Sequence, residues 1–427
     1  MIIFLFLGQR VMGSSSFYEF WKKLCLFIIT ARPMTDLCWT CQNNNNLIFR
    51  SANLTDANKS ERVRLQEQHL CIVQKERSLY NTMVHNARQT CIDNAITELS
   101  LNAPCSRNLS MHYSFDYAQQ VHLPSNPLQP VPIYFLVPRK YGLFGVCCEG
   151  LPRQVNFLID EAHLISKGSN AVVSFLHYFF SNYGIGETDV HLHCDNCSGQ
   201  NKNSFVIWYC ARRVAMGFHK SITVNFLIAG HTKFAPDWCF GLLKKAFKRH
   251  VVPALSVLEE VVNGSAAVNI AQVTGKEDGT TVVPVCDWQA FSKDSCKPVP
   301  RLKKYQHLRD GVFAEKDTEG EEVPFPVLMA DTTFPDGEAT WIKPPGLPLQ
   351  RQQYLYKSIR EFVDDPFKDI VCPRPDEMLP ANSDEELNET ENVGNRGARG
   401  RGRPRGRGRP RGRGHGRPRG RGRGGAR

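Results

Sequence analysis

The chain has 427 residues, 41 % of them hydrophobic, which gives room for one large or two ordinary domains. Its formal net charge of +11 is unevenly placed: from Gly394 onward there are 14 Arg and no acid, leaving 39 basic against 42 acidic residues, or −3, for the rest. That division excludes a basic globular surface and points to a near-neutral body with a basic appendage for nucleic acid.

Met1 to Leu7 is apolar but short, and no basic segment precedes it as a secretory signal requires. Leu24 to Thr30 is too short to span a membrane. Fifteen Cys, an odd number in irregular spacing, fit reduced core thiols in an intracellular compartment. With the basic tail, these features predict a nuclear protein with no membrane segment.

Residues 1–110 read as an amino-terminal helical region. Phe17 to Ile29 predicts an amphipathic helix, with Phe20, Trp21, Leu24, Phe27 and Ile28 at helical spacing. Cys38 and Cys41 have the CxxC spacing of a zinc knuckle. A second pair is less clear, with His69, Cys71, His85 and Cys91 at loose spacing, so Zn²⁺ binding and two plain thiols beside Trp39 both stay open. A polar helix is predicted over about Asn58 to Asn86.

Residues 111–252 are the most ordered in pattern. Met111 to Ala118 alternates as a strand with Asp116 near its end. Ile133–Val137, Tyr141–Cys148 and Gln154–Ile159 read as a three-stranded meander, punctuated by prolines at 138 and 152. Ala171 to Tyr183 predicts a helix, since Val172, Phe175, Leu176, Phe179 and Phe180 form one apolar stripe. Val190, Leu192 and Cys194 then alternate with His191, His193 and Asp195 as a strand, which runs into the polar block Asn196 to Asn203. A helix near Ser204–Met216, a strand at Ser221–Ile228 and a helix from about Pro236 to Lys248 follow. The order βββαβαβα predicts an α/β fold with a ribonuclease-H-like mixed sheet flanked by helices.

Residues 253–370 read as a small mixed α/β extension, with a helix at Ser256–Val262, a strand at Thr281–Val285 and a basic strand-like segment from Lys303. Residues 371–427 are expected to be disordered: an acidic linker, then Arg/Gly/Pro low complexity.

Asp116, Asp195 and Asp237 are the candidate catalytic residues. A ribonuclease-H-like nuclease or transposase needs carboxylates on the first strand, at the end of the fourth and on the helix after the fifth. Together they hold two Mg²⁺ or Mn²⁺ ions roughly 3.5–4 Å apart, which activate the attacking oxygen and stabilise the leaving one. Asp237, behind Pro236, also suits an ordinary first-turn acid. His191, His193 and His231 are further candidates for such a site. Lys202 and Lys233 are candidate phosphate contacts, with solvated lysines as the plainer alternative.

The tail repeats Gly-Arg-Pro around Arg403, Arg409 and Arg417. It resembles AT-hook repeats, in which Gly allows close approach, Pro stiffens an extended path, and Arg seeks the negative potential of a narrow A/T-rich minor groove. RNA binding by an Arg-Gly segment and a solubilising or nuclear-import tail are the competing readings.

Four stretches carry a further resemblance: Met34–Cys41, Phe115–Gln120, Cys194–Asn203 and Gly230–Asp237. Over roughly residues 17–310 the chain resembles a family of transposon-derived proteins in animal genomes, whose core looks like a ribonuclease-H-like (DDE-type) transposase. The resemblance implies metal-binding positions at Asp116, Asp195 and Asp237. Many such enzymes carry Glu as the third acid, so Asp160, Glu161 and Glu187 stand as substitutes for Asp237. Since the chain starts abruptly, a little before the CxxC region, it is expected to lack an amino-terminal portion such as a separate DNA-binding module.

Overall fold

Strand β1 (Ser110–Leu123) sets the architecture. Its odd-numbered Met111, Tyr113 and Phe115 point to one face, and its even-numbered His112, Ser114 and Asp116 to the other. All but Asp116 are fully buried, so both faces of the sheet are covered. The computed structural model describes residues 3–4, 10–24, 37–51, 53–129, 131–296, 305–309, 312–316, 323–326, 334–335 and 337–377.

β1 continues into β2 (Arg139–Cys148) and β3 (Arg153–Asp160), each antiparallel to the one before. β4 (Asp189–Cys194) then lies parallel to β1, β5 (Ser221–Phe226) parallel to β4, and β6 (Asn269–Val273) parallel to β3. The result is a mixed six-stranded sheet in the order β5-β4-β1-β2-β3-β6. Three short strands, β7 (Tyr305–Arg309), β8 (Val312–Lys316) and β9 (Val323–Pro326), continue it beyond β5.

Helices cover the two faces. Of the helices, α1 (Ser14–Leu24), α2 (Trp39–Phe49) and α3 (Asp56–Asp93) precede the sheet, α4 (Ser169–Asn182) and α5 (Ser204–Ala215) flank β4, and α6 (Ala235–Phe247) and α7 (Leu255–Ser265) follow β5. The apolar stripe of α4 joins Met111, Tyr113, Phe115, Val190, Leu192 and Trp208 in the main core. On the opposite face α6 and α7 pack Phe240, Leu243, Leu255 and Leu258 on Tyr141, Leu143 and Leu158. α3 is polar for half its length and buries a stripe only from Glu76, through Tyr80, Val84, Ala87 and Cys91, the spacing of one helix face.

Several expectations are corrected. Residues 133–137 are not a strand: Val131–Tyr134 make one helical turn, and β1, running on to Leu123, is the strand that opens the meander. Pro132 has no N–H for a ladder but suits a first helical turn. Thr281–Val285 forms only an isolated bridge from Thr281 to Gly275, while Val283 and Val285 bury their side chains individually. The first helix ends at Leu24; Phe27 and Ile28 lie outside the described residues. Residues 1–375 and 376–427 are separate units. Most of the acidic linker and the predicted tail contacts Arg403, Arg409 and Arg417 also lie outside the described residues. No helix among the described residues is long and apolar enough to cross a membrane.

Candidate functional site

The face of the sheet under α3 and α6 carries the candidate site residues. β1 and β4 run parallel with His112 beside His191 and Ser114 beside His193. Two residues further, the same register sets Asp116 level with Asp195, which stands just past the end of β4. On the other side of β1, Asp116 pairs with Gly145. A Cβ at Gly145 would lie 2.7 Å from Phe240 Cζ, so this glycine lets α6 settle on β2. Asp237 stands one turn before Phe240, and its carboxylate accepts from the Phe234 N–H at 3.1 Å.

The Asp116 carboxyl feels the charge of the other two aspartates, but the three carboxylates are not drawn within 4.8 Å of one another. Burial, and then the negative charge of Asp195 and more weakly that of Asp237, push the Asp116 carboxyl up to about 7, against the Tyr117 N–H that it accepts at 2.8 Å. Burial also raises Asp237, while the Phe234 N–H, Lys233, Lys244 and Arg77 oppose it. The Asp195 carboxylate accepts from the Cys197 N–H at 3.1 Å and from the Asn201 side-chain amide, which fixes the loop behind β4. Lys202 places its ammonium 5.2 Å from the centre of the Phe226 ring, and Lys233 lies in the field of Asp237.

The substitute acids have other partners. Asp160 pairs with Arg139 at 2.9 Å and caps the turn at Ala162. Glu161 receives the Arg351 fork at 2.8 and 3.0 Å. Glu187 accepts from Tyr113 Oη at 2.9 Å and from the Ile185 N–H at 3.0 Å. Asp237 is the acid that reaches the charge of Asp116 from the third element.

His193 lies on the same sheet face as Asp195, as its strand position suggests, and is paired there. It is buried with its Nδ1 2.7 Å from Nε2 of His112, and burial, with His191 and Arg77, pushes it down to about 3, so it is neutral. Tyr80 from α3 caps this pair, with its hydroxyl 2.8 and 2.7 Å from the two Glu149 carboxylate oxygens. The same hydroxyl accepts from the Ala235 N–H at 3.2 Å, two residues before Asp237.

A second cluster lies at the other end of the same loop. Cys38, at the start of α2, and Cys41, in its first turn, meet His69 of α3 and His231 of the loop between β5 and α6. Their four ligand atoms all lie within 4.8 Å of one another; among the described residues this is the group of metal-type ligands drawn that close. Cys38 Sγ is 3.3 Å from His69 Nε2, Cys41 Sγ is 3.4 Å from His231 Nε2, and the two Nε2 atoms are 3.3 Å apart. Gly230 has φ +79°, and a Cβ there would strike the Cys38 backbone. The CxxC and His69 were legible in the sequence, while His231 reads there as a companion of the acids. Cys71 and His85 are exposed on α3, and Cys91 is buried against Gly150.

A family described as a domain of unknown function (DUF7869) matches residues 140–315. That span includes Asp195, His231 and Asp237, and leaves out Asp116, Cys38, Cys41 and His69. No curated protein and no solved structure matches the chain.

Proposed function

We propose that this protein is a transposase-derived enzyme that cuts or joins DNA strands, with a ribonuclease-H-like core in which Asp116, Asp195 and Asp237 are the catalytic acids. The observation that carries the reading is the strand register that sets Asp116 level with Asp195 at the end of β4, with Asp237 in the first turn of α6, which packs over the Gly145 partner of Asp116. The sheet order β5-β4-β1-β2-β3, with β2 antiparallel to its neighbours, supports it, being the order of a ribonuclease-H-like sheet.

The donor set fits Mg²⁺ or Mn²⁺. It is all oxygen, and it gathers like charges at a partly desolvated point where a cation relieves the repulsion. Two such ions, when bound, activate the attacking oxygen and offset charge on the leaving one. The chain's own part is positioning. β1 and β4 hold Asp116 and Asp195 by register, the Asn201 amide orients Asp195, and the Gly145–Phe240 contact sets the height of Asp237. Lys202 and Lys233 would meet backbone phosphates.

The basic tail supplies the attraction that a body of about −3 lacks. Arg403, Arg409 and Arg417 would lie in the minor groove of A/T-rich DNA, and the protein would act in the nucleus. One observation favours a second reading, a catalytically inactive DNA or chromatin adaptor: the Asp195 carboxylate already satisfies Asn201 and the Cys197 N–H. Incubating the intact chain with duplex DNA and Mg²⁺, with binding measured alongside, separates the two. Cleavage supports the enzyme; binding without cleavage leaves the adaptor. Competition of A/T-rich duplex by single-stranded RNA reports whether the tail prefers RNA.

A further inference from the structure

We propose that Cys38, Cys41, His69 and His231 bind one structural Zn²⁺ ion, which clamps the amino-terminal helices onto the loop that presents Asp237. The site is independent of the strand-cleavage reading.

With Zn–N near 2.0–2.1 Å and Zn–S near 2.3 Å, a tetrahedron has N···N edges of roughly 3.3 Å and N···S edges of roughly 3.6 Å. The chain brings the two imidazole nitrogens to 3.3 Å and two of the four sulfur–nitrogen pairs to 3.3 and 3.4 Å, with all four atoms within 4.8 Å of one another. Two thiolates and two imidazoles make a closed set with no position left for substrate, the character of a structural site. Gln66 donates to Cys41 Sγ at 3.7 Å, an outer-shell contact of the kind that orients a ligand.

The backbone is also shaped for this meeting. Gly230, immediately before His231, adopts a left-handed conformation with φ +79°. In that conformation the loop lies against Cys38 with no room for a Cβ. A residue far along the chain has thus been brought against the first Cys of the CxxC at backbone contact.

α3 reaches the 231–235 segment at three points: His69 to His231, Arg77 to the His231 carbonyl at 3.1 Å, and Tyr80 to the Ala235 N–H at 3.2 Å. Phe234 and Leu227 pack on Tyr80 and Val84 between them. Metal at the first point fixes the start of a segment that ends in the first turn of α6, at Asp237. Without it, Cys38 and Cys41 rest on the packing of α2 against α3, where Asn44 donates to Gln66 at 3.0 Å, and on the close approach of Gly230.

The test is metal content by mass spectrometry on the full chain purified without added metal, together with Co²⁺ substitution. Wild type is expected to carry about one Zn²⁺ per chain, and the Co²⁺ form to show thiolate charge-transfer absorption with tetrahedral visible bands. Cys38→Ser, His69→Ala and His231→Ala should each lose most of the metal, while His85→Ala and Cys71→Ser, both on exposed positions of α3, keep it. Full metal in His69→Ala and His231→Ala would overturn the assignment. If those variants do not fold, metal-free wild type titrated with Zn²⁺ against a chromophoric chelator decides instead: one tight site that takes Co²⁺ with a two-thiolate, two-nitrogen spectrum supports the clamp, and no tight site or a different ligand set overturns it.

Discussion

His69 and His231 place their Nε2 atoms 3.3 Å apart across 162 residues of sequence. That contact ties a helix from before the sheet to the loop between β5 and α6, the loop that leads into Asp237. The Cys/His cluster and the candidate acid Asp237 therefore share one short segment, and changes at one end of it should be felt at the other.

Gly230 is the narrowest point of that arrangement. Gly230→Ala forces a side chain into a left-handed backbone position and against Cys38. We expect it to cost about 1–3 kcal/mol in denaturant unfolding and to reduce Zn²⁺ retention. Unchanged stability and metal content would show that the loop can back away from Cys38 freely.

Gly145 is the equivalent point under α6. A Cβ there meets Phe240 at 2.7 Å and the Gln154 amide at 2.7 Å. Gly145→Ala should destabilise by about 1–3 kcal/mol through overpacking and lower cleavage more than DNA binding, because it lifts the turn that carries Asp237. Combining it with Phe240→Leu should recover part of the loss, a coupling readable in a double-mutant cycle.

The charge on Asp116 sets a pH dependence. Its carboxyl is held up to about 7 in the folded chain, against an ordinary value of 3.8. The folded state thus holds the proton more tightly than the unfolded state, and this contribution to stability is full below about pH 4 and lost as pH rises through about 7. With Mg²⁺ omitted, Asp116→Asn should be more stable than wild type at pH 8 by on the order of 2–4 kcal/mol, with the gap closing towards pH 4. Added Mg²⁺ should stabilise wild type and leave Asp116→Asn nearly unaffected. Parallel stability–pH curves for the two proteins would contradict the coupling.

Tyr80 bridges the buried Glu149 and the Ala235 N–H. Tyr80→Phe leaves both without that partner, and should cost about 1–3 kcal/mol, measured by chemical denaturation. A cost below about half a kcal/mol would mean that neighbours such as Ser114 take over the Glu149 bond.

Removing the chain beyond Asn395 takes away all 14 Arg of the tail. Most of the salt-sensitive DNA affinity should go with it, seen as a flatter dependence of log K on log salt. Undiminished, equally salt-sensitive binding would place the nucleic-acid surface elsewhere.

Much of this arrangement was legible in the sequence. The alternation through Met111–Asp116 and Val190–Asp195 located β1 and β4, because one face of each strand is apolar and the other polar. The acids at 116, 195 and 237 then followed from their places on these elements. What escaped was non-local or unpatterned. β6 is five residues long and only half-buried along most of its length, so its alternation is faint. The 133–137 run is apolar enough for a strand, yet Pro132 turns it. The link from the CxxC to His231 depends on a fold that no local pattern encodes.

The account rests most heavily on Asp195 acting as a catalytic acid. The direct measurement is Mg²⁺-dependent strand cleavage of duplex DNA by wild type and by Asp195→Asn, with matched folding and DNA binding. The account predicts cleavage by wild type and a loss of at least about 100-fold in the variant. Equal cleavage by both proteins, or none by either, would contradict it.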